Sequence, residues 1–163
     1  MPIRDVTHDD VPQMVSLSDL KRTQYEKYSP VFWRKASQAK EVQTPYFHEL
    51  IDDEAMIMLV HERQSIVDGF IMGRIMKAPG VYDPGGVVCM IDDYMVASPD
   101  SWETIGEQLR QALADRAQRR GAVLCIFVCG HLDEPKRQML RQAGGHISSE
   151  WYVVPISVSN SPD

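Results

Sequence analysis

The sequence predicts a mixed α/β fold: a mostly antiparallel central sheet of about six strands with helices on both faces. Three observations carry this. The first fifty residues read strand, helix, broken helix. Between Ala55 and Val96 come three apolar strand-like runs separated by turn formers, the pattern of an antiparallel meander. The last third then alternates strand, helix and strand, and a crossover of that kind returns the chain parallel to its neighbour. With 163 residues, a chain buries roughly 70% of its unfolded surface, enough for one core without staples. No internal repeat and no second domain are visible, so residues 1–156 are expected to form a single domain and 157–163 a polar tail.

Taken in order, Pro2 to Thr7 reads as a first strand. His8 to Tyr28 follows as a helix, with Thr7 as its cap and Val11, Met14, Val15, Leu17 and Leu20 spaced along one face. A second helical stretch from Val31 to Val42 is expected to break at Thr44-Pro45 and resume through Phe47, Leu50 and Ile51, because proline disfavours helix in the residue before it. Met56 to Val60 is a compact apolar strand, Glu62 to Ser65 a turn, and Ile66 to Met76 the returning strand. Ala78 to Gly86 is dense in Pro, Gly and Asp and must be a loop, after which Val87 to Val96 is the next strand. Ser98-Pro99-Asp100 opens a helix whose buried face is marked by Ile105, Leu109, Ala112, Leu113 and Ala117 and which Gly121 ends. Ala122 to Cys129 is uninterruptedly apolar, as in a parallel strand covered on both faces. Glu134 to Ala143 is a last helix, stopped by Gly144, and His146 to Ile156 is the closing strand.

Charge and composition exclude several classes of function. With 17 Lys+Arg against 23 Asp+Glu the formal charge is -6, which opposes nucleic acid or an anionic membrane surface as partner. The amino terminus lacks a basic stretch followed by an apolar run, and no segment is apolar long enough to span a bilayer, so a cytoplasmic protein is expected. Cys89, Cys125 and Cys129 form no CxxC pair and lie in apolar runs, which reads as buried free thiols in a reducing compartment. The five histidines are scattered without metal-ligand spacing, so no metal is expected.

From Ile3 to Pro155 the order of elements resembles that of the GNAT (GCN5-related N-acetyltransferase) superfamily, and three local stretches carry the likeness. Asp92-Asp93-Tyr94-Met95-Val96 resembles the end of that family's fourth strand, Gly106-Glu107-Gln108-Leu109 the start of the next helix, and Met139 to Gly145 the late helix before the final strand. The resemblance implies acetyl-CoA as co-substrate, lying in a V-shaped opening between the fourth and fifth strands beside Tyr94, Met95 and Val96. It also implies a pyrophosphate at a helix start, where free N–H groups and the helix dipole favour an anion. The stretch aligned with the family's Gln/Arg-x-x-Gly-x-Gly/Ala loop is Ser101-Trp102-Glu103-Thr104-Ile105-Gly106. Only its last glycine is kept, and Glu103 brings a negative charge; the same stretch also reads as a well-capped helix start. Where the family has an Asn, a proton-donating Tyr and Gly-Phe, this sequence has Asp133, Leu140, Gly144 and Gly145. Leucine donates no proton, although a coenzyme A thiol, with a pKa near the ~8.5 of cysteine, leaves readily.

Transfer to an amine also needs a proton acceptor, because an alkylammonium with a pKa of about 10.4 is not nucleophilic. Asp92 and Asp93, alternating to opposite faces near the end of the fourth strand, are the candidates, with backbone N–H groups around Met95 and Val96 polarising the thioester. The acidic run Asp52-Asp53-Glu54 is either a solvated face or a lure for a cationic amine. Trp33, Tyr46, Phe47 and Trp151 either wall a pocket or pack in the core, and His131 follows the fifth strand near the mouth of the opening. Three functional readings result: an N-acetyltransferase acting on an amine of a small molecule or protein, a catalytically silent binding module of the same fold, and a homodimeric subunit with exposed Met and Trp positions.

Overall fold

The computed structural model describes residues 2–156. Its sheet has five strands in the order β1-β2-β3-β4-β5: β1 (Ile3–Asp5), β2 (Met56–Arg63), β3 (Ile66–Met76), β4 (Val87–Val96) and β5 (Ala122–Phe127). The first four pair antiparallel and β5 pairs parallel with β4. Helices α1 (Val11–Tyr28) and α2 (Ala39–Ile51) cover one face, and α3 (Glu107–Arg119) and α4 (Glu134–Gln142) the other. Side-chain alternation on β2 divides the core accordingly: Met58 and Val60 pack beneath α1 with Met14, Val15 and Phe47, whereas Ile57 and Leu59 meet Leu109 and Leu113 of α3. Among the described residues no helix is long and apolar enough to cross a membrane.

The entry into α1 is more elaborate than a single threonine cap. A 3-10 turn at His8–Asp10 precedes the helix, and the Asp10 carboxylate accepts from the Thr7 N–H at 2.7 Å while taking both ends of the Arg4 guanidinium at 2.7 Å. The Arg4 hydrogen bonds hold the Asp10 carboxyl below its ordinary range against the opposing effect of burial. Replacing Asp10 by Ala removes a cap and a charged hydrogen bond together, with an expected loss of about 2 kcal/mol in denaturant titration at pH 7. Because the folded pKa is depressed, the difference from wild type should close as the pH falls below about 4. The buried face of α1 includes Ser18 and Tyr25 and leaves Leu20 at 54% exposure, since the helical stripe has turned away from that position.

Other departures have local causes. Residues 30–38 form turns, and α2 runs unbroken through Pro45, because Phe47 and Leu50 bury beyond it and outweigh one missing hydrogen bond. The β2–β3 hairpin closes on Gln64 and Ser65, both with positive φ (52° and 64°), as a type I′ turn requires. The helix expected from Ser98 begins as a 3-10 turn at Pro99–Ser101, continues as a π turn at Trp102–Gly106 and becomes α-helical at Glu107. Gly121 ends it at φ +84°, a conformation open to glycine.

Two expectations at the carboxyl-terminal side are corrected. The sheet has five strands, because residues 146–156 carry no regular structure: a strand needs an edge to pair with, and this segment makes no backbone hydrogen bond to β5. In consequence β5 is an edge strand and is not covered on both faces. Val123, Leu124 and Ile126 are 50%, 43% and 39% exposed. The three cysteines are free, but only Cys89 is fully buried. Burial pushes the Cys129 thiol up to about 11, whereas hydrogen bonding from Cys89, its neighbour across β4 and β5, lowers that of Cys125. The expected tail at 157–163 lies outside the described residues.

Candidate functional site

The site is made where β4 and β5 part. Along β3 the register of β4 runs from Met72 opposite Asp93 to Arg74 opposite Met90, so Ile91 and Asp92 together face Gly73 in a β-bulge. Below the bulge Cys89 and Ile91 face α3; above it Tyr94 and Val96 do. Parallel pairing with β5 stops at the same point, its last bond running from the Val128 N–H to the Ile91 carbonyl at 2.8 Å. Beyond it the strands diverge into a V.

Alternation fixes what β4 presents to that opening. The Ala97 N–H bonds back to the Asp68 carbonyl beside β3, so the peptide groups of Tyr94 and Val96 face away from β3, into the splay. Met95, expected to offer its N–H there, is opposite Phe70 on β3, and its side chain belongs to the core under α1. Tyr94 contributes its backbone; its ring is buried edge-on to Trp102, with centroids 4.8 Å apart, and its hydroxyl donates to the Gly106 carbonyl.

The opening is occupied by a side chain that sequence reasoning missed. Lys136, in the first turn of α4, is 1% exposed, and its Nζ lies 3.1 Å from the Val128 carbonyl and 3.4 Å from the Tyr94 carbonyl, bridging the two arms of the V. It also stands over the rings of Tyr94 and Trp102, at 5.1 and 5.3 Å from their centroids. Burial, aided by repulsion from Lys21, pulls its pKa down to about 8. The signal was present: Lys136, Met139, Leu140 and Ala143 share one face at helical spacing, and Met139 is buried.

Asp133 stands beside it, 3% exposed. Its Oδ2 accepts from the Tyr25 hydroxyl at 2.8 Å, while the Tyr25 oxygen in turn accepts from the Gly130 N–H at 3.1 Å. Burial, reinforced by the Asp133 charge, raises the Tyr25 phenol. Among the described residues Asp133 Oδ1 is buried with no hydrogen-bond partner, an open acceptor beside Lys136.

The two candidate bases are distinguished by Lys21. Its ammonium is 3.1 Å from Asp93 Oδ1 and 3.0 Å from the Asp92 backbone carbonyl, so the Asp93 carboxylate is already engaged. Asp92, at the bulge, is exposed, and its carboxylate has no ion pair or side-chain hydrogen bond among the described residues.

The aligned helix start is a closed turn with two faces. Trp102, Ile105 and Gly106 are buried; a Cβ on Gly106 would lie 2.8 Å from the Trp102 ring and 3.4 Å from the Tyr94 hydroxyl, so packing alone demands glycine. Glu103 and Thr104 are exposed and Ser101 is half-buried, with the Thr104 hydroxyl donating to the Ser101 carbonyl at 3.3 Å. Glu103 accepts from Gln138 at 2.9 Å and Gln142 at 3.2 Å, tying the turn before α3 to α4.

The remaining candidates lie elsewhere. Asp52, Asp53 and Glu54 sit at the opposite end of the sheet, where Arg120 at the close of α3 donates to the Glu54 and Met56 carbonyls at 2.9 and 3.0 Å. Asp53 pairs with Arg74 at 2.9 Å, and the run borders a hollow of about 270 Å³ with Arg116. Its place there excludes it from the mouth of the V. Phe47 is fully buried core, Tyr46 borders a second hollow with Arg22, and Trp33 packs on Tyr25 and Phe32. Trp151 is 82% exposed, and His131 is exposed with its carbonyl taken by Arg137. Among the described residues no three His, Cys, Asp or Glu side chains gather to hold a metal.

Solved structures share this architecture over nearly the whole chain. A point mutant of the BH1408 protein from Bacillus halodurans superposes with a TM-score of 0.83 at 14% identity, covering 96% of this chain and 100% of that one. The aminoglycoside 6'-N-acetyltransferase AAC(6')-Ih from Acinetobacter baumannii gives 0.70 at 11% identity, over 96% and 98%. A predicted acetyltransferase with acetyl-CoA from Clostridium acetobutylicum gives 0.68 at 17% identity, over 94% of each chain. No protein-family profile and no curated protein sequence matches the chain. The bulged fourth strand, the splay it starts and the helix turn beside it, together with these superpositions, identify the chain as having the GNAT acetyltransferase fold.

Proposed function

We propose that the protein is an acetyl-CoA-dependent N-acetyltransferase that acts on an amine of a small molecule or protein. The observation that carries this reading is the splay itself, with the Tyr94 and Val96 peptide groups turned into it beside a helix start. An N–H fixed in a strand costs no reorganisation when negative charge develops on a thioester oxygen, so Val96 is the residue assigned to polarise the acetyl carbonyl. Asp92 takes the proton of the attacking amine, directly or through water. The neutral amine nitrogen then bonds to the carbonyl carbon, the carbon–sulfur bond breaks, and the second proton leaving nitrogen passes through solvent to the departing thiolate, a good leaving group that needs no positioned tyrosine.

The residues fit such a substrate once Lys136 moves. Asp133 Oδ1 is an open acceptor suited to an amide N–H, and the Lys136 side chain fills the space between the arms. Its displacement is favoured by its own discomfort: a buried ammonium facing two neutral carbonyls regains solvation on leaving. Removal of the side chain should therefore strengthen binding. In calorimetric titration with acetyl-CoA, Lys136→Ala is expected to bind at least about tenfold more tightly than wild type, which corresponds to about 1.4 kcal/mol. Absence of binding to both proteins at millimolar acetyl-CoA would overturn the assignment.

Lys136 in the opening and Glu103 in the turn before α3 also favour a second reading, a silent module of the same fold. Tight acetyl-CoA binding by Lys136→Ala, with no thiol released by wild type or variant against a broad amine panel, would select that module.

A further inference from the structure

We infer that Cys89 and Cys125 form a reversible oxidation site, a pair of thiols that a hydroperoxide converts to a disulfide joining β4 to β5 just below the opening. The geometry is set by register. Cys89 on β4 stands directly opposite Cys125 on β5, two pairs before the last one at Ile91 and Phe127. Neighbouring strands lie about 4.7–4.9 Å apart, inside the roughly 4.4–6.8 Å that the Cα atoms of a disulfide span. Both side chains lie on the face covered by α3, Cys89 fully buried in that core and Cys125 half-buried against it. Gly73 on β3 keeps room for the first, since a Cβ there would lie 2.6 Å from the Cys89 sulfur. A core needs only a small apolar residue at either place; two thiols in register, on one face and already sharing a hydrogen bond, supply a reaction as well.

Their surroundings divide the chemistry between them. The hydrogen bond from Cys89 holds the Cys125 thiol below its ordinary value against the effect of burial, and the charge of Arg110 acts in the same direction. The same hydrogen bond, reinforced by burial, pushes the Cys89 thiol up. Cys125 is therefore the attacking thiolate and Cys89 the thiol that resolves the product. Cys129 provides the contrast within the chain. It follows the end of β5, its sulfur is turned to the Gly130 carbonyl at 3.5 Å, and burial holds its thiol up at about 11.

The reaction balances without a metal or cofactor. The Cys125 thiolate attacks one peroxide oxygen, the oxygen–oxygen bond breaks, and the other oxygen takes a proton and leaves as water or an alcohol; Cys125 becomes a sulfenic acid. The Cys89 sulfur then attacks the Cys125 sulfur, the sulfur–oxygen bond breaks, and the hydroxyl leaves as water with the Cys89 proton. The two thiols lose two electrons and the peroxide gains them. A small thiol reverses the change by exchange. The bond fastens the arms of the V at their root, beside the bulge at Ile91–Asp92.

The test is mass spectrometry of the intact chain, reduced, freed of reductant and treated at pH 7 with about two equivalents of hydrogen peroxide, then alkylated with iodoacetamide in denaturant. Untreated protein should take up three alkyl groups, one for each of its three cysteines. Oxidised wild type should be lighter by about 2 Da and take up one group, on Cys129, with peptide mapping joining Cys89 to Cys125 inside one chain. Dithiothreitol should restore three. Cys89→Ala should stop at a sulfenic acid on Cys125, captured by dimedone, and Cys125→Ser should keep both remaining thiols. In the native, reduced chain iodoacetamide should label Cys125 at least about tenfold faster than Cys129. Should either variant fail to fold by circular dichroism, the mapping and labelling rates of wild type carry the test. Three alkyl groups after peroxide overturn the inference, as does a disulfide that includes Cys129 or joins two chains. A sulfenic acid found first on Cys89 or Cys129 overturns it too. None of these readouts depends on acetyl-CoA or on turnover.

Discussion

Between pH 7 and pH 10.5 wild type should gain about 3 kcal/mol of stability relative to Lys136→Met, with about 2 kcal/mol of it present by pH 9.5. The sign follows from linkage. The ammonium titrates at about 8 when folded and at its ordinary 10.5 when unfolded. Below pH 8 both states carry the proton, and the folded state bears the whole cost of holding a charge away from water. Between the two values the unfolded chain binds more protons, so stability rises with pH. At neutral pH the substitution has two opposed effects: it relieves that cost, and it leaves the Val128 and Tyr94 carbonyls without a donor, at roughly 1 kcal/mol or more each. The net gain at pH 7 should therefore be small, near 1 kcal/mol, and the diagnostic quantity is the pH dependence of the difference. Urea titrations of both proteins at half-unit pH steps measure it. A difference that stays constant would show that Lys136 does not hold its charge inside the splay.

The sequence made most elements legible because their signals are local. The hairpin around Gln64-Ser65, the stop at Gly121 and the 3.6-residue apolar spacing of Ile105, Leu109, Leu113 and Ala117 each state themselves within a few residues. What escaped depended on partners distant in the chain. His146 to Ile156 has strand chemistry, but a strand forms only where the chain is carried alongside a sheet edge, and periodicity does not tell where the chain after α4 goes. The Asp52-Asp53-Glu54 run shows its charge in the sequence and its place only in the fold, where Arg120 and Arg74 bind it at the end away from the V. Asp92 and Asp93 look interchangeable until Lys21, some seventy residues earlier, engages one of them. Lys136 was hidden for a different reason. A lysine in a first helical turn is ordinarily solvated, so its position on the Met139 face was outweighed by its residue type, a conflict between local and global preference of the kind that gathers at functional sites.

Asp92→Asn should lower kcat about 100-fold, with acetyl-CoA affinity within about twofold of wild type, whereas Asp93→Asn should keep kcat within a few-fold. The two carboxylates are adjacent in sequence and differ in what surrounds them. The bulge at Ile91–Asp92 coincides with the last β4–β5 bond, so Asp92 stands at the vertex of the opening, exposed and, among the described residues, with no cation against its carboxylate. Asp93 is engaged by the Lys21 ammonium at 3.1 Å; taking an amine proton would require it to give up that pair. Asparagine keeps the size of either side chain and removes only the ability to accept a proton as a base, so a fall confined to kcat reports proton transfer rather than binding. The assay is release of the coenzyme A thiol with the best acceptor found in an amine panel, followed from pH 6 to pH 9.5. A loss in Asp92→Asn that is largest at low pH, where the amine is most protonated, and shrinks as the free amine accumulates toward pH 9.5 is the signature of a base. Equal activity of Asp92→Asn and wild type across that range would remove Asp92 from the chemistry and leave the deprotonation to bulk water.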